Sequence, residues 1–207
     1  MRQEMLVGNP VLVVVDIQTG PGGSEEKPAI PVMKDGPPTR ANAKRLIAAA
    51  REVGVPVIFI QEVHRPDLTD FGRELDGEED IHCLENDPDT AICTEIGYRP
   101  DDILIRKRRY SAFFGTELPI VLKGLKAETL ILIGGLTDVC VHYTFVDAHQ
   151  SDYYTRVVED CVTGSSRAAH EASLNAMEYL QNGARRTTNE ILAAFAERCP
   201  AVLVGAS

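Results

Sequence analysis

The sequence predicts an α/β fold, in which a mainly parallel sheet is covered by helices on both faces. Apolar, β-branched segments recur along the chain, and segments with helical periodicity separate them. The apolar segments are continuous rather than alternating, which is typical of strands that are buried on both sides. We therefore expect one doubly wound domain, residues 1–207, with six strands in the order 3-2-1-4-5-6.

Five segments predict strands, and four of them are long apolar runs. In chain order they are VLVVVD (11–16), VPVIFIQEV (55–63), DILIRK (102–107), TLILIGGL (129–136) and the shorter TRVVED (155–160).

Helical patterns fill the intervals. Thr39 is a candidate N-cap for ANAKRLIAAAREV, and Gly54 stands where a C′ residue would end that helix. Ser165 or Ser166 is a candidate N-cap for a helix that runs to about Gln181. Further helices are predicted at 117–126, at 138–150 and in NEILAAFAERC (189–199).

Two long segments have no strand or helix pattern. Residues 19–38 are rich in Gly and Pro, and residues 64–100 are polar and irregular. Long loops in a small domain are often binding elements. Because both follow predicted parallel strands, we expect them over the same end of the sheet, where ligands of doubly wound proteins bind.

Composition and charge exclude several classes of function. The formal net charge is −10, which disfavours nucleic acids and anionic membranes as partners. No apolar run is long enough to cross a bilayer, and MRQEMLVGNP lacks the apolar core of a secretory signal. The five cysteines include no CxxC pair, so neither a disulfide framework nor a zinc ribbon is indicated. These features predict a cytoplasmic protein.

Three reactive side chains follow three predicted strands. Asp16 ends the first strand, Lys107 ends the third, and Cys140 lies four residues after the fourth, near a helix start. A helix N-terminus and an ammonium group both favour a thiolate. A carboxylate can accept the thiol proton and later donate it to a leaving amine. Each residue alone is more often structural; the combination predicts a nucleophilic site.

The motifs around these residues resemble those of the isochorismatase-like cysteine hydrolases, which include nicotinamidases, N-carbamoylsarcosine amidohydrolase, and ureidoacrylate and biuret hydrolases. The similarity covers nearly the whole chain, in matching order and spacing. The segments that carry it are Val14-Val15-Asp16-Ile17-Gln18, Arg106-Lys107-Arg108-Arg109-Tyr110-Ser111-Ala112-Phe113 and Gly134-Gly135-Leu136-Thr137-Asp138-Val139-Cys140-Val141.

The resemblance implies a role for each residue. Cys140 would be the nucleophile, Lys107 would lower its pKa, and Asp16 would be the general base and acid. A cis Gly135–Leu136 peptide bond would direct the backbone N–H of Leu136, with that of Cys140, toward the substrate oxygen as an oxyanion hole. The implied reaction is hydrolysis of a small amide, ureide or carbamoyl compound through an acyl-enzyme. Relatives are commonly dimers or tetramers, so a homo-oligomer is expected.

Substrate contacts are less well marked. Many relatives carry an aromatic residue shortly after the aspartate motif, where this chain has Thr19-Gly20-Pro21. Gln18 either contacts the substrate or fixes the loop that follows it. Arg73 either binds a substrate carboxylate or forms a surface salt bridge.

The resemblance also raises the question of a metal. No cofactor is required for cysteine chemistry, but nicotinamidase-like members bind a metal through an Asp-x-His element and a later His-Cys element. The matching residues here are Glu62, His64 and His82, a reasonable set for zinc or a similar divalent ion. Glu62 stands where those members have Asp, which makes this side chain longer by one methylene. The alternative is that both histidines are structural residues of the loop.

Other functions have weaker support. Gly20-Pro21-Gly22-Gly23 does not match the dinucleotide-binding pattern G-x-G-x-x-G. A magnesium-dependent phosphotransferase would need a second aspartate where Gln18 stands. A member of the fold that binds ligands without catalysis remains open.

Overall fold

The computed structural model of the chain describes residues 4–24 and 26–198. Six parallel strands form one sheet in the order β3-β2-β1-β4-β5-β6, as the sequence predicts. In chain order they are β1 (Pro10–Val15), β2 (Val57–Glu62), β3 (Ile103–Lys107), β4 (Thr129–Gly135), β5 (Tyr154–Thr163) and β6 (Arg185–Arg186).

The described ranges contain five α-helices: α1 (Thr39–Glu52), α2 (Leu118–Gly124), α3 (Cys140–Gln150), α4 (Arg167–Leu180) and α5 (Thr188–Arg198). The first four lie between strands, and α5 follows β6. Ser166 is the N-cap of α4, and its hydroxyl accepts a hydrogen bond from the Ala169 backbone N–H. Gly54 has a φ of 72° just beyond α1, where a left-handed residue commonly ends a helix.

The sheet has a separate apolar core on each face. From β1, Leu12 and Val14 pack with residues of α1 and α5. Val11, Val13 and Val15 point the other way, toward residues of α2, α3 and α4. Successive side chains of a strand alternate between the two faces of the sheet. Because helices cover both faces, every residue of β1 is buried. This double burial explains the continuous apolar runs of the sequence.

Two sequence predictions need correction, and the predicted sixth strand is very short. Thr39 is the first residue of α1 rather than its N-cap; Pro38 holds that position, and no side chain caps the helix. The fifth strand continues beyond 160 to Thr163. The sixth strand has only two residues, both arginines, so no apolar run indicated its position.

Both long loops lie over the carboxyl ends of the strands. The first, 19–38, and the second, 64–100, contribute to the lining of one cavity there. The second loop contains three short 3-10 turns, Glu74–Asp76, Pro88–Thr90 and Thr94–Ile96. The predicted helix end at Cys199 lies outside the described residues. Among the helices of the described ranges, none has the length and apolar character needed to span a membrane.

Candidate active site

The three residues predicted to carry the chemistry meet at one end of the sheet. The Lys107 ammonium nitrogen lies 2.9 Å from a carboxylate oxygen of Asp16 and 3.3 Å from the sulfur of Cys140. Asp16 directly follows β1, Lys107 is the last residue of β3, and Cys140 is the first residue of α3. Parallel strands end at the same edge, so residues remote in the sequence converge there.

A glycine allows the aspartate and the nucleophile segment to approach each other. Gly134 pairs with Val15 across β4 and β1 and has a φ of 120°. A Cβ atom on Gly134 would lie 1.9 Å from the Val15 carbonyl oxygen, so no other residue fits. The Gly135–Leu136 peptide bond that follows is cis.

A fourth residue, Glu62, joins this group. It ends β2 beside Lys107, its partner in the β2–β3 register. One carboxylate oxygen contacts the Lys107 ammonium and lies 3.4 Å from the Cys140 sulfur. The other lies 3.3 Å from His64 Nε2 and 3.1 Å from His82 Nε2. The sequence indicated Glu62 as a metal ligand and missed its contacts with lysine and cysteine.

The two carboxylates on Lys107 differ in electrostatic environment. Burial raises the pKa of Asp16 to about 6, and the Lys107 charge only partly opposes this effect. Burial acts on Glu62 as well, but Lys107 and hydrogen bonds with His64 and His82 hold its pKa well below the usual value. Asp16 is therefore the carboxyl that can take up and release a proton near neutrality, whereas Glu62 stays ionised.

The surroundings of Cys140 act on its thiol in opposite directions. Burial raises the pKa of Cys140 well above its usual value despite the opposing charge of Lys107, and Glu62 and Asp16 raise it further. The Lys107 pKa is also raised, because Asp16, Cys140 and Glu62 together outweigh the effect of burial. Lys107 thus acts on the Cys140 pKa in the expected direction, but burial and the two carboxylates outweigh it.

The two candidates for substrate contacts have structural partners. The Gln18 amide nitrogen donates to the Thr90 carbonyl at 2.9 Å, and its oxygen accepts the Glu62 backbone N–H at 3.0 Å. Gln18 thus ties the loops to β2, although it also lines the cavity. Arg73 does not line the cavity. Its side chain is 93% exposed and pairs with Asp76 at 2.9 Å. The surface salt bridge is the alternative that the structure supports.

A cavity of about 340 Å³ opens onto the site. Asp16, Glu62 and Cys140 line it, together with Leu136. Within the described residues, the backbone N–H groups of Leu136 and Cys140 donate no hydrogen bond to the protein. The cavity can therefore place a small molecule next to the sulfur, with two backbone donors still unpaired.

Beside the cysteine lies a cluster with the chemistry of a metal site. Glu62, His64 and His82 offer ligand atoms that lie within 4.8 Å of one another and of a fourth ligand atom, from Glu74. Both Glu74 carboxylate oxygens are buried and have no hydrogen-bond partner, although one lies 3.5 Å from His64 Nε2. Burial and the nearby Glu62 charge raise the Glu74 pKa to about 8. Two imidazoles and two carboxylates fit zinc or a similar divalent ion.

Glu74 was missed in the sequence because it lies in an irregular segment, DFGREL, that matches no ligand pattern. Its place in the cluster depends on the path of the second loop, which brings a 3-10 turn back over the end of β2.

A domain model described as the isochorismatase domain matches residues 10–191. The chain belongs to the isochorismatase family.

The chain is similar in sequence to a ureidoacrylate amidohydrolase and in fold to solved structures of two hydrolases. The ureidoacrylate amidohydrolase RutB of Yersinia enterocolitica is 32% identical over 170 residues, which cover 72% of this chain and 73% of that protein. The crystal structure of a cysteine hydrolase from Pseudomonas syringae pv. phaseolicola 1448A has a TM-score of 0.81 and 25% identity, over 96% of this chain and 100% of that one. An N-carbamoylsarcosine amidase from Thermoplasma acidophilum has a TM-score of 0.71 and 27% identity, over 88% and 98% respectively.

Proposed function

We propose that this isochorismatase-family chain hydrolyses a small amide, ureide or carbamoyl compound through an acyl-enzyme on Cys140. The observation that carries the proposal is the contact of one ammonium group, Lys107, with both Asp16 and Cys140, two residues that line a cavity. The names of the relatives support the same class of reaction, since they include a ureidoacrylate amidohydrolase and an N-carbamoylsarcosine amidase.

In the proposed first step, the Cys140 sulfur attacks the substrate carbonyl carbon and its proton passes to Asp16. Lys107 stabilises the charge that develops on sulfur, and the backbone N–H groups of Leu136 and Cys140 bind the carbonyl oxygen as an oxyanion hole. The C–N bond then breaks, and Asp16 returns the proton to the leaving nitrogen.

The second step releases the acid. A water molecule gives a proton to Asp16 and attacks the thioester carbon, and the C–S bond breaks. The proton that Asp16 holds returns to sulfur and restores the thiol. A carboxyl with a pKa of about 6 suits both directions of this transfer, because it is mostly ionised at neutrality yet readily protonated.

A nicotinamidase-type amidase that holds a metal is an alternative form of the same proposal. Glu62, His64, Glu74 and His82 would hold the ion, and the unpartnered Glu74 carboxylate favours this alternative. The metal would supply a Lewis acid that orients a substrate heteroatom. The proton transfers at Asp16 and the attack by Cys140 are the same with or without it.

We also propose that the protein works in the cytoplasm as a homo-oligomer, a dimer or a tetramer. Its described cysteines, 83, 93, 140 and 161, are all unpaired, as expected in a reducing compartment. Phe114 and Ile120 leave large apolar side chains 65% and 74% exposed, which a second subunit could cover. Light scattering of the purified protein measures the number of subunits.

Substitution of the nucleophile tests the main proposal. We expect Cys140→Ala to abolish ammonia release from every substrate of a panel that contains nicotinamide, biuret, ureidoacrylate, maleamate and N-carbamoyl amino acids, while thermal unfolding stays close to wild type. Cys161→Ala is the matched control, since that cysteine is equally buried but belongs to the core cluster of the opposite sheet face. Turnover by the Cys140 variant, or a catalytically inert wild-type chain, contradicts the proposal.

A further inference from the structure

We propose that Glu62 is a positioning residue for the reaction, because its carboxylate holds the Lys107 ammonium against the Cys140 sulfur. The inference rests on the proposed function for its effect on turnover, but its geometric part stands on the contacts alone. It gives Glu62 a role at the reacting sulfur as well as at the imidazole cluster.

The two oxygens of the Glu62 carboxylate contact different groups. Its Oε2 atom contacts Lys107 and lies 3.4 Å from the Cys140 sulfur. Its Oε1 atom lies between two imidazole nitrogens, 3.1 Å from that of His82 and 3.3 Å from that of His64. A carboxylate that is held on one oxygen by two rings has little freedom to move, so its other oxygen is a fixed anchor for the lysine.

Backbone contacts also fix the position of Glu62. Glu62 and Lys107 are register partners in adjacent parallel strands, so their side chains leave the sheet side by side. The Glu62 backbone N–H also donates to the Gln18 side chain at 3.0 Å, which ties the end of β2 to the segment just after Asp16. Lys107, whose side chain is completely buried, has only Asp16 and Glu62 as carboxylate partners in the described part of the chain.

These contacts matter most in the middle of the reaction. When Asp16 takes the thiol proton, it loses its negative charge and most of its attraction for Lys107. Glu62 is then the remaining carboxylate on the ammonium, at the moment when that ammonium must stay beside the sulfur. Two carboxylates on one lysine thus have separate tasks: Asp16 moves the proton, and Glu62 keeps the cation in place.

The length of the side chain distinguishes this role from simple metal or imidazole binding. An aspartate at 62 would keep the negative charge but would withdraw the carboxylate by about 1.5 Å, one methylene, from the lysine and from the histidines. The proposed reaction passes through Asp16, Lys107 and Cys140 and not through the histidines. If Glu62 served only the imidazole side, Glu62→Asp would retain activity. If Glu62 positions Lys107, the shorter side chain fails.

The experiment therefore compares Glu62→Asp with Glu62→Gln and wild type. We expect Glu62→Asp to lower kcat by about tenfold or more with KM changed less than about twofold, since displacement of a catalytic group by an ångström impairs the reacting geometry. Glu62→Gln, which removes the charge, should lose at least as much. Glu85→Asp is the matched control: it shortens a glutamate that pairs with Arg108, outside the cavity lining, and should keep the wild-type kcat.

Crystal structures of the variants give a second measurement that does not depend on turnover. In Glu62→Asp, the distance between Lys107 Nζ and Cys140 Sγ should exceed its present 3.3 Å and no longer allow a hydrogen bond. A wild-type kcat together with an unchanged distance in this variant overturns the inference. A wild-type chain that hydrolyses none of the panel contradicts the proposed function instead, and the distance measurement still decides the role of Glu62.

Discussion

At the scale of single residues, the site is a buried group of charges in which one cation serves two carboxylates and a thiol. The Lys107 side chain has no exposed surface, and that of Asp16 is 10% exposed. Because these side chains are largely shielded from solvent, each charge has a large effect on its neighbours. Asp16 and Glu62 contact the same ammonium but have pKa values shifted in opposite directions, because only Glu62 also has hydrogen bonds with His64 and His82.

The raised pKa of Asp16 predicts a pH dependence. Asp16 must be ionised to accept the thiol proton, so kcat/KM should fall about tenfold per pH unit below about pH 6. Lys107, with a raised pKa, stays protonated throughout that range. The measurement is kcat/KM against pH from 4.5 to 8 in buffers of constant ionic strength. A profile that stays flat from pH 6 down to pH 4.5 contradicts the assigned role.

At the scale of elements, the site depends on how closely β1 and β4 approach each other where both end. Gly134 has no space for a side chain and has a positive φ, and the next residues lead into α3 and Cys140. The backbone positions of the two strand ends thus set the separation between the aspartate and the nucleophile.

Gly134→Ala tests this dependence. The added Cβ would overlap the Val15 carbonyl oxygen and strain the backbone, so we expect a loss of about 2–4 kcal/mol in the free energy of unfolding and a strongly reduced kcat. Gly124→Ala, at the end of α2 with no atom within 4 Å of the added Cβ, is the matched control and should unfold like wild type. Denaturant unfolding with equal m-values for both variants checks the comparison. An alanine tolerated at 134 would show that the strand ends can separate without harm.

At the scale of the whole molecule, the second loop brings three ligand groups, from His64, Glu74 and His82, to Glu62 at the end of β2. The cluster has unpartnered carboxylate oxygens in a buried position, an arrangement that a bound cation would stabilise. Binding at such a cluster couples to the stability of the entire fold.

We therefore expect zinc to raise the melting temperature of chelator-treated wild-type protein. A free zinc concentration 100 times the dissociation constant corresponds to about 2.7 kcal/mol of added stability. Glu74→Gln should weaken zinc binding and reduce the shift, whereas Glu85→Gln, outside the cluster, should not. Calorimetry with and without zinc, on protein purified without a histidine tag, makes the comparison. Equal shifts in the wild type and Glu74→Gln contradict a metal site that includes Glu74.

Sequence by itself determined the fold class and the strand order, and it predicted that Asp16, Lys107 and Cys140 lie at one end of the sheet. Apolar runs buried on both faces and strands that alternate with helices are local patterns, and parallel strands necessarily end at one edge. Glu62, His64 and His82 were indicated by their resemblance to the metal-binding elements of nicotinamidase-like proteins.

Only the tertiary structure decided what those residues touch. The second carboxylate on Lys107, the addition of Glu74 to the cluster, the exposure of Arg73 and the raised pKa of Cys140 all depend on the distances between separate segments of the chain and on their burial. Loop paths and burial set these distances, and a pKa follows from the charges and the water around a group rather than from its neighbours in sequence. Local pattern therefore places the reactive groups at one end of the sheet, and three-dimensional packing determines how they work together.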